Sequence, residues 1–208
     1  MQKIVFSLDD YCWQYRDCRE YLNKLKDYFI NFKCSFFTIP AYEGILLSEH
    51  KEILDFDYPV EHLLHGYMHT NHEFKDLMGE KMVLRLSFGQ DEFKKCNIKP
   101  RKIFKAPNWR YNDSLVDAMI MWNWTLAIYS PGYRVRGLKV YEYNWDIGDP
   151  KIPGDAIIHA HGHTHYVSGP GKGIDNPEVV ENIMQLPKDT EFILISEFLE
   201  EQENVSPR

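Results

Sequence analysis

Asp9 and Asp10 stand side by side at the end of an apolar run, Phe6-Ser7-Leu8-Asp9-Asp10. Two adjacent carboxylates in such a place are costly unless a cation or several hydrogen-bond donors stabilise them. On a regular strand they point to opposite faces, so one can bind a metal ion while the other, turned by the strand's end, serves beside it as a base. Taken alone, the pair is better accounted for by an Asp-Asp turn or a helix N-cap before Tyr11. Farther along, His65-Gly66-Tyr67-Met68-His69 spaces two imidazoles four residues apart. A single turn of helix directly after a strand would put both on one side, a spacing common in zinc pairs. The plain alternative is two surface histidines on a polar turn. His72 makes a competing His69/His72 pair, but Gly66 lets the chain turn sharply at His65, which favours the first pair.

Asp10, His65 and His69 would make a two-histidine, one-carboxylate face with open positions. That set suits one divalent ion, Zn2+ first, with Co2+, Ni2+, Mn2+ or Fe2+ as the other candidates. Such an ion acidifies its water and polarises a carbonyl, and an adjacent carboxylate can take the water's proton. The combination means hydrolysis. A further run, His159-Ala160-His161-Gly162-His163-Thr164-His165, follows the apolar Ala156-Ile157-Ile158. Period-2 alternation puts His159 and His161 on the same side, where either can be a general acid. His163 and His165 read as solvated loop residues able to bind an adventitious ion. The alternating histidines also resemble amidohydrolase-type metal sites, which keeps a different metal hydrolase, acting on a cyclic amide, ureide or phosphate ester, as a rival.

For these residues to converge, the chain must place the ends of several strands together. Lys3 to Leu8 reads as a strand, Asp17 to Phe32 as a helix, Cys34 to Ile39 as a strand stopped by Pro40, and Ser48 to Leu54 as a short helix capped by Ser48. Val60 to Leu64, Lys102 to Lys105, Trp124 to Tyr129, Leu138 to Tyr143, Ala156 to His161 and Glu191 to Ile195 supply further strands. Helices are expected over Lys81 to Cys96, despite Gly89, from Asn112 or Asp113 through Trp122, and at the acidic C-terminus. Strands alternating with helices imply a parallel sheet with right-handed crossovers. The unusual Asp, His, Lys and Asn residues fall at C-terminal strand ends, as in a barrel. The expectation is an α/β fold: a small, incomplete or distorted (β/α) barrel of about seven strands in one domain spanning 1–208. Gly169 to Gly173 (GPGKG) lacks the frame of a phosphate loop and reads as a mobile surface loop.

With 208 residues, a net charge of −7 and a pI near 5.7, the chain carries no basic patch for nucleic acid or an anionic membrane. Aromatic residues make up 14%, which suits either a bulky core or walls that stack on sugar rings. The four cysteines form no CxxC pair and read as reduced thiols. With neither an apolar leader nor a membrane-length apolar stretch, the expected location is the cytoplasm.

The order of these motifs resembles the polysaccharide deacetylase family, with its NodB-like, carbohydrate esterase family 4 fold, over nearly the whole chain. The likeness rests on Phe6-Ser7-Leu8-Asp9-Asp10, Ser35-Phe36-Phe37, the HGYMH run, Phe104-Lys105-Ala106-Pro107-Asn108-Trp109 and the late histidine strand. It implies that Asp9 is the catalytic base and that Asp10, His65 and His69 are the metal ligands. Where the family usually has Arg-Pro-Pro-Tyr, this chain has Lys105-Ala106-Pro107-Asn108. The cation that orients the base then becomes Lys105, a point charge in place of a planar fork. The oxyanion donor becomes the backbone N–H of Asn108, flanked by Pro107 and Trp109. The general acid is His159 or His161, with a lean to His161 because Gly162 opens the strand end. Trp145-Asp146 is a loose counterpart of the segment that tunes this histidine. The implied reaction is removal of an acetyl group from an N-acetylated amino sugar, on a small-molecule or oligosaccharide substrate. A sugar-binding module descended from such an enzyme is the rival of another class.

Overall fold

The computed structural model describes residues 2–129, 132–165 and 173–205. In chain order its elements are β1 (Lys3–Tyr11), α1 (Cys18–Tyr28), β2 (Cys34–Thr38), β3 (Ala41–Tyr42), β4 (Ile45–Leu46), β5 (Val60–His65), α2 (Glu73–Asp76), α3 (Gly79–Lys95), β6 (Ile103–Lys105), α4 (Asp113–Met121), β7 (Thr125–Ile128), β8 (Lys139–Glu142), β9 (Trp145–Asp146), β10 (Ile157–His163), α5 (Pro177–Ile183), β11 (Glu191–Ile193) and α6 (Ile195–Val205). Apart from the small β3–β4 hairpin, the strand pairs within each unit described below are parallel, and helices intervene.

The chain forms two compact units. One comprises Met1–Phe36, Phe56–Glu61 and Tyr143–Arg208, the other Phe37–Asp55 and His62–Glu142, so the boundary falls inside β2 and inside β5. In the first unit, β1 is bonded to β10 on one side and β11 on the other, and β9 follows β10. The β1–β10 register places Ser7 opposite His161 and Asp9 opposite His163. β1 is buried from Ile4 onward, so its apolar residues need no alternation and read as a continuous run. Phe6, Phe29, Phe32 and Phe192 form an aromatic cluster beneath it, with ring centroids 4.8–6.1 Å apart.

That cluster explains why α1 stops at Tyr28 and not at Phe32. Phe29 turns extended, its N–H closes the last helical turn on the Leu25 carbonyl, and both Phe29 and Phe32 are freed to pack on the sheet. The N-terminus of α6 is held by a buried network in which the Glu61 carboxylate accepts from the Ser35 hydroxyl (2.7 Å) and the Ser196 N–H (3.1 Å).

In the second unit β5, β6, β7 and β8 are bonded in that order. α4 starts where expected, Asn112 accepting the Leu115 N–H as its N-cap. Ser48 does not cap a helix: residues 47–54 form two short 3-10 turns, and the Ser48 N–H donates to Glu92 of α3 at 2.8 Å. Gly89 is tolerated in α3 because of close packing, since a Cβ there would lie 2.6 Å from the Leu64 side chain. β9, α5 and the β3–β4 hairpin were not foreseen. Two-residue strands are too short to show a period, and Pro177 at the start of α5 follows an Asn176 cap inside a polar stretch. All four cysteines are unbridged, and no described helix is long and apolar enough to cross a membrane. Most of the Gly169 to Gly173 segment lies outside the described residues.

Candidate catalytic site

The parallel register of β1 on β10 sets the arrangement of the first unit's candidate residues. Asp9 and His161 face the same way, and His161 Nε2 lies 3.0 Å from Asp9 Oδ2, with both side chains only 3% exposed. Tyr143 stands edge-on to the His161 ring, 5.0 Å between centroids, and its hydroxyl lies 3.5 Å from the Ser7 hydroxyl, which in turn donates to the Ala160 carbonyl. The strand ends are pinned by Thr164, whose N–H donates to the Asp9 carbonyl (3.0 Å) and whose hydroxyl donates to the Asp10 carbonyl (3.2 Å). Asp10 adopts φ 64, so the simple alternation expected of the Asp-Asp pair ends there.

The four late histidines separate. His161 meets Asp9, whereas the ring of His159 packs edge-on against Phe198 of α6, 4.7 Å between centroids. Burial pushes the His159 imidazole below its ordinary pKa, against the nearby Asp155. His163 stands 5.0 Å from His161 with its ring nearly perpendicular, and His165 stacks on Tyr15. Asp9, His161 and His163 are a group that could hold a metal ion, their ligand atoms all within 4.8 Å of one another. Asp146 is opposite His161 in register, but its carboxylate accepts the Gly148 N–H of its own turn at 2.8 Å.

In the second unit, the segment after β5 is not the helical turn anticipated for His65 and His69. Gly66 has φ 63 and His69 φ 61, and α2 begins only at Glu73. The two rings nevertheless meet, 4.7 Å between centroids. A carboxylate holds the turn: Glu73, 5% exposed, accepts the N–H groups of Tyr67, Met68 and His69 at 3.0–3.2 Å, with Arg85 nearby at 3.8 Å. Glu73 was missed by the sequence reading. The Thr70-Asn71-His72-Glu73 spacing has the form of a capping box, but none forms: the N-cap of α2 is His72, and the Glu73 carboxylate reaches back to residues 67–69. His72 turns instead toward Arg110, at 3.4 Å.

His65 Nδ1 lies 3.1 Å from the Lys105 carbonyl, an acceptor only, which fixes the proton on Nδ1 and makes Nε2 the lone-pair nitrogen. That arrangement fits a metal-binding histidine. Lys105 is fully buried, its ammonium 3.7 Å from the Trp109 ring centroid and 5.1 Å from that of Phe37. Asn108 and Trp109 both have positive φ (53 and 57), and the Asn108 amide donates to Asn71. Among the described residues seven non-glycine positions have positive φ, and four of them are Asp10, His69, Asn108 and Trp109. Strained backbone concentrated on the residues singled out for chemistry is the pattern of a functional site.

No family model matches the sequence, and no curated protein matches it. Solved structures do. Peptidoglycan deacetylase PdaC from Bacillus subtilis aligns over 98% of this chain and 92% of its own, at 16% identity and a TM-score of 0.61. A family 4 carbohydrate esterase from Streptomyces lividans, in complex with acetate, aligns over 92% of both chains, at 13% identity and a TM-score of 0.61. The chain has the carbohydrate esterase family 4 fold. The α/β architecture and distorted barrel expected from the sequence are those of this fold. BA3943 from Bacillus anthracis, described as a pseudoenzyme, shares the esterase fold over 95% of this chain and 65% of its own, at 16% identity and a TM-score of 0.60.

Proposed function

We propose that this protein is a metal-dependent carbohydrate deacetylase that hydrolyses the amide of an N-acetylated amino sugar, releasing acetate and leaving a free amine. The observation that carries the reading is the buried Asp9–His161 pair, which puts a carboxylate and an imidazole at hydrogen-bond distance on an esterase fold. In this reading Asp10, His65 and His69 each offer one ligand atom to a single divalent ion, Zn2+ before Co2+, Ni2+, Mn2+ or Fe2+. Such an ion polarises an acetyl carbonyl and acidifies water. The fixed Nδ1 proton of His65 and the Glu73 grip on the His69 turn support this assignment.

Asp9 accepts the proton of the attacking water, and His161 gives a proton to the amine nitrogen as the carbon–nitrogen bond breaks. Lys105 would take the place of the family's base-orienting cation. The backbone N–H of Asn108, the first amide after Pro107, meets the developing oxyanion, and Trp109 walls the sugar. His159, packed on Phe198, takes no part in proton transfer. A cytoplasmic location and a small-molecule or oligosaccharide substrate belong to the same proposal, the unbridged cysteines supporting the first.

A second reading, a sugar-binding module without turnover, draws on the pseudoenzyme among the structural relatives and on Lys105 and Asn108 as departures from the family pattern. Divalent metal per chain, measured on untagged protein, tests the ligand set. About one tightly held ion, surviving exhaustive dialysis with no metal added, is expected in the wild type and in the His159→Ala/His161→Ala double variant, and little in Asp10→Ala. Acetate release from N-acetylglucosamine oligomers then separates the two readings, since a binder releases none when loaded. Loss of that tightly held ion in the His159→Ala/His161→Ala variant, with its retention in Asp10→Ala, would point to the amidohydrolase class.

A further inference from the structure

We propose that Asp9, His161 and His163 form a second cation site, which takes a divalent transition-metal ion and stops turnover when filled. The inhibitory half of this proposal rests on the deacetylase reading; the binding half does not.

The site is built by the strand register. Asp9 opposite His163, and Ser7 opposite His161, put one carboxylate and two imidazoles on the same face of a parallel strand pair. Their ligand atoms lie within 4.8 Å of one another. The His161 and His163 rings, two residues apart on β10, are 5.0 Å apart and at 82°, so their nitrogens converge from different directions. The backbone carrying the ligands is held in place, because the Thr164 N–H donates to the Asp9 carbonyl and the Ile174 N–H to the His163 carbonyl. Asp9 and His161 are buried while His163 is partly exposed, so an ion arriving from solvent meets His163 first and then the buried pair.

Two imidazoles and a carboxylate select Zn2+, Ni2+, Co2+ or Cu2+ over Mg2+ or Ca2+. Binding replaces the Asp9–His161 hydrogen bond: the Nε2 proton is displaced to solvent, the ring keeps a single proton on Nδ1, and the Nε2 and Oδ2 lone pairs become ligand bonds. Asp9, its charge neutralised by the ion, is then too weak a base for the proton of water, and His161 Nε2 has no proton for the amine. His163 is the one member with no step in the reaction, which makes it the handle for a test.

Zn2+ is titrated calorimetrically into metal-free wild type, His163→Ala and Asp10→Ala, and acetate release is followed across the same Zn2+ range. The wild type is expected to take up two equivalents and its activity to rise and then fall. His163→Ala should weaken the second equivalent by about 100-fold or more, the upper end of what loss of a supporting partner costs a metal site, and its activity should rise and stay high. Asp10→Ala should keep the His163-dependent equivalent and lose the other. A single equivalent in the wild type, or two equivalents that both survive His163→Ala, overturns the second site. If the His163-dependent equivalent is found but Asp10→Ala binds like the wild type, the second site stands and the Asp10 ligand assignment fails. If both equivalents appear as described but activity does not fall as the second fills, the inhibitory half is wrong.

Discussion

Asp9 Oδ2 and His161 Nε2 lie 3.0 Å apart although their positions are 152 residues apart in the chain. The contact joins the proposed base to the proposed acid within one buried pair, and it sets the first prediction. Asp9→Asn and His161→Gln each keep the volume and remove the proton chemistry. Each should lower kcat by roughly 10²–10⁴-fold, with the first metal ion retained, as read by acetate release beside elemental analysis. Loss of that ion in either variant would make the pair ligands of it and not proton carriers.

Glu73 accepts three successive backbone N–H groups in the turn that carries His69. Glu73→Gln removes the negative charge and turns one of the two acceptor oxygens into a donor facing the N–H groups of Tyr67 and Met68. The expected cost is about 1–3 kcal/mol of stability in urea unfolding, with metal affinity weaker by about 10–100-fold. An unchanged affinity would mean that the turn keeps its shape without the carboxylate.

Gly66→Ala attacks the same turn from its backbone. At φ 63 a Cβ would lie 2.5 Å from Pro107 Cγ and 2.6 Å from Glu73 Oε2. Strain and clash together should cost at least about 1–3 kcal/mol and separate the His65 and His69 rings. Thermal unfolding and metal content check both effects.

Lys105 is buried against Trp109 and Phe37. If its charge keeps the base ionised, Lys105→Met leaves metal binding intact, lowers kcat by about tenfold or more, and moves the acid limb of the kcat/KM profile to higher pH. A uniform loss of activity with an unmoved acid limb would assign Lys105 to packing alone.

His62, buried beside the Thr38 hydroxyl at 2.9 Å, has its pKa pushed down to about 3 by burial. The folded state therefore holds this ring neutral, while the unfolded chain protonates it near pH 6.5. Its contribution to stability is complete above about pH 6.5 and is lost as pH falls toward 3, by about 1.4 kcal/mol per pH unit. In metal-free protein, His62→Gln should flatten the urea-derived stability profile over that window relative to the wild type. Parallel profiles would place the acid sensitivity elsewhere.

Local chemistry made much of this legible in advance. The apolar runs, the helix before them and after them, and the placement of Asp9, Asp10, His65, His69 and Lys105 at strand ends depend on residue type and short-range period, which a sequence displays directly. The HGYMH segment shows the limit of such reading. Its spacing announced that two histidines would meet, but a helical turn was the wrong means, because the backbone reversal at Gly66 and the buried Glu73 carboxylate outweigh the local helical preference. The late histidine run shows the limit more sharply. Alternation put His159 and His161 on the same side and left them equivalent, and only the register of β1 on β10 sent His161 to Asp9 and His159 to Phe198. Register is a ladder of hydrogen bonds between segments some 150 residues apart, set by the packing of both strands in one core, and no property of either strand alone encodes it.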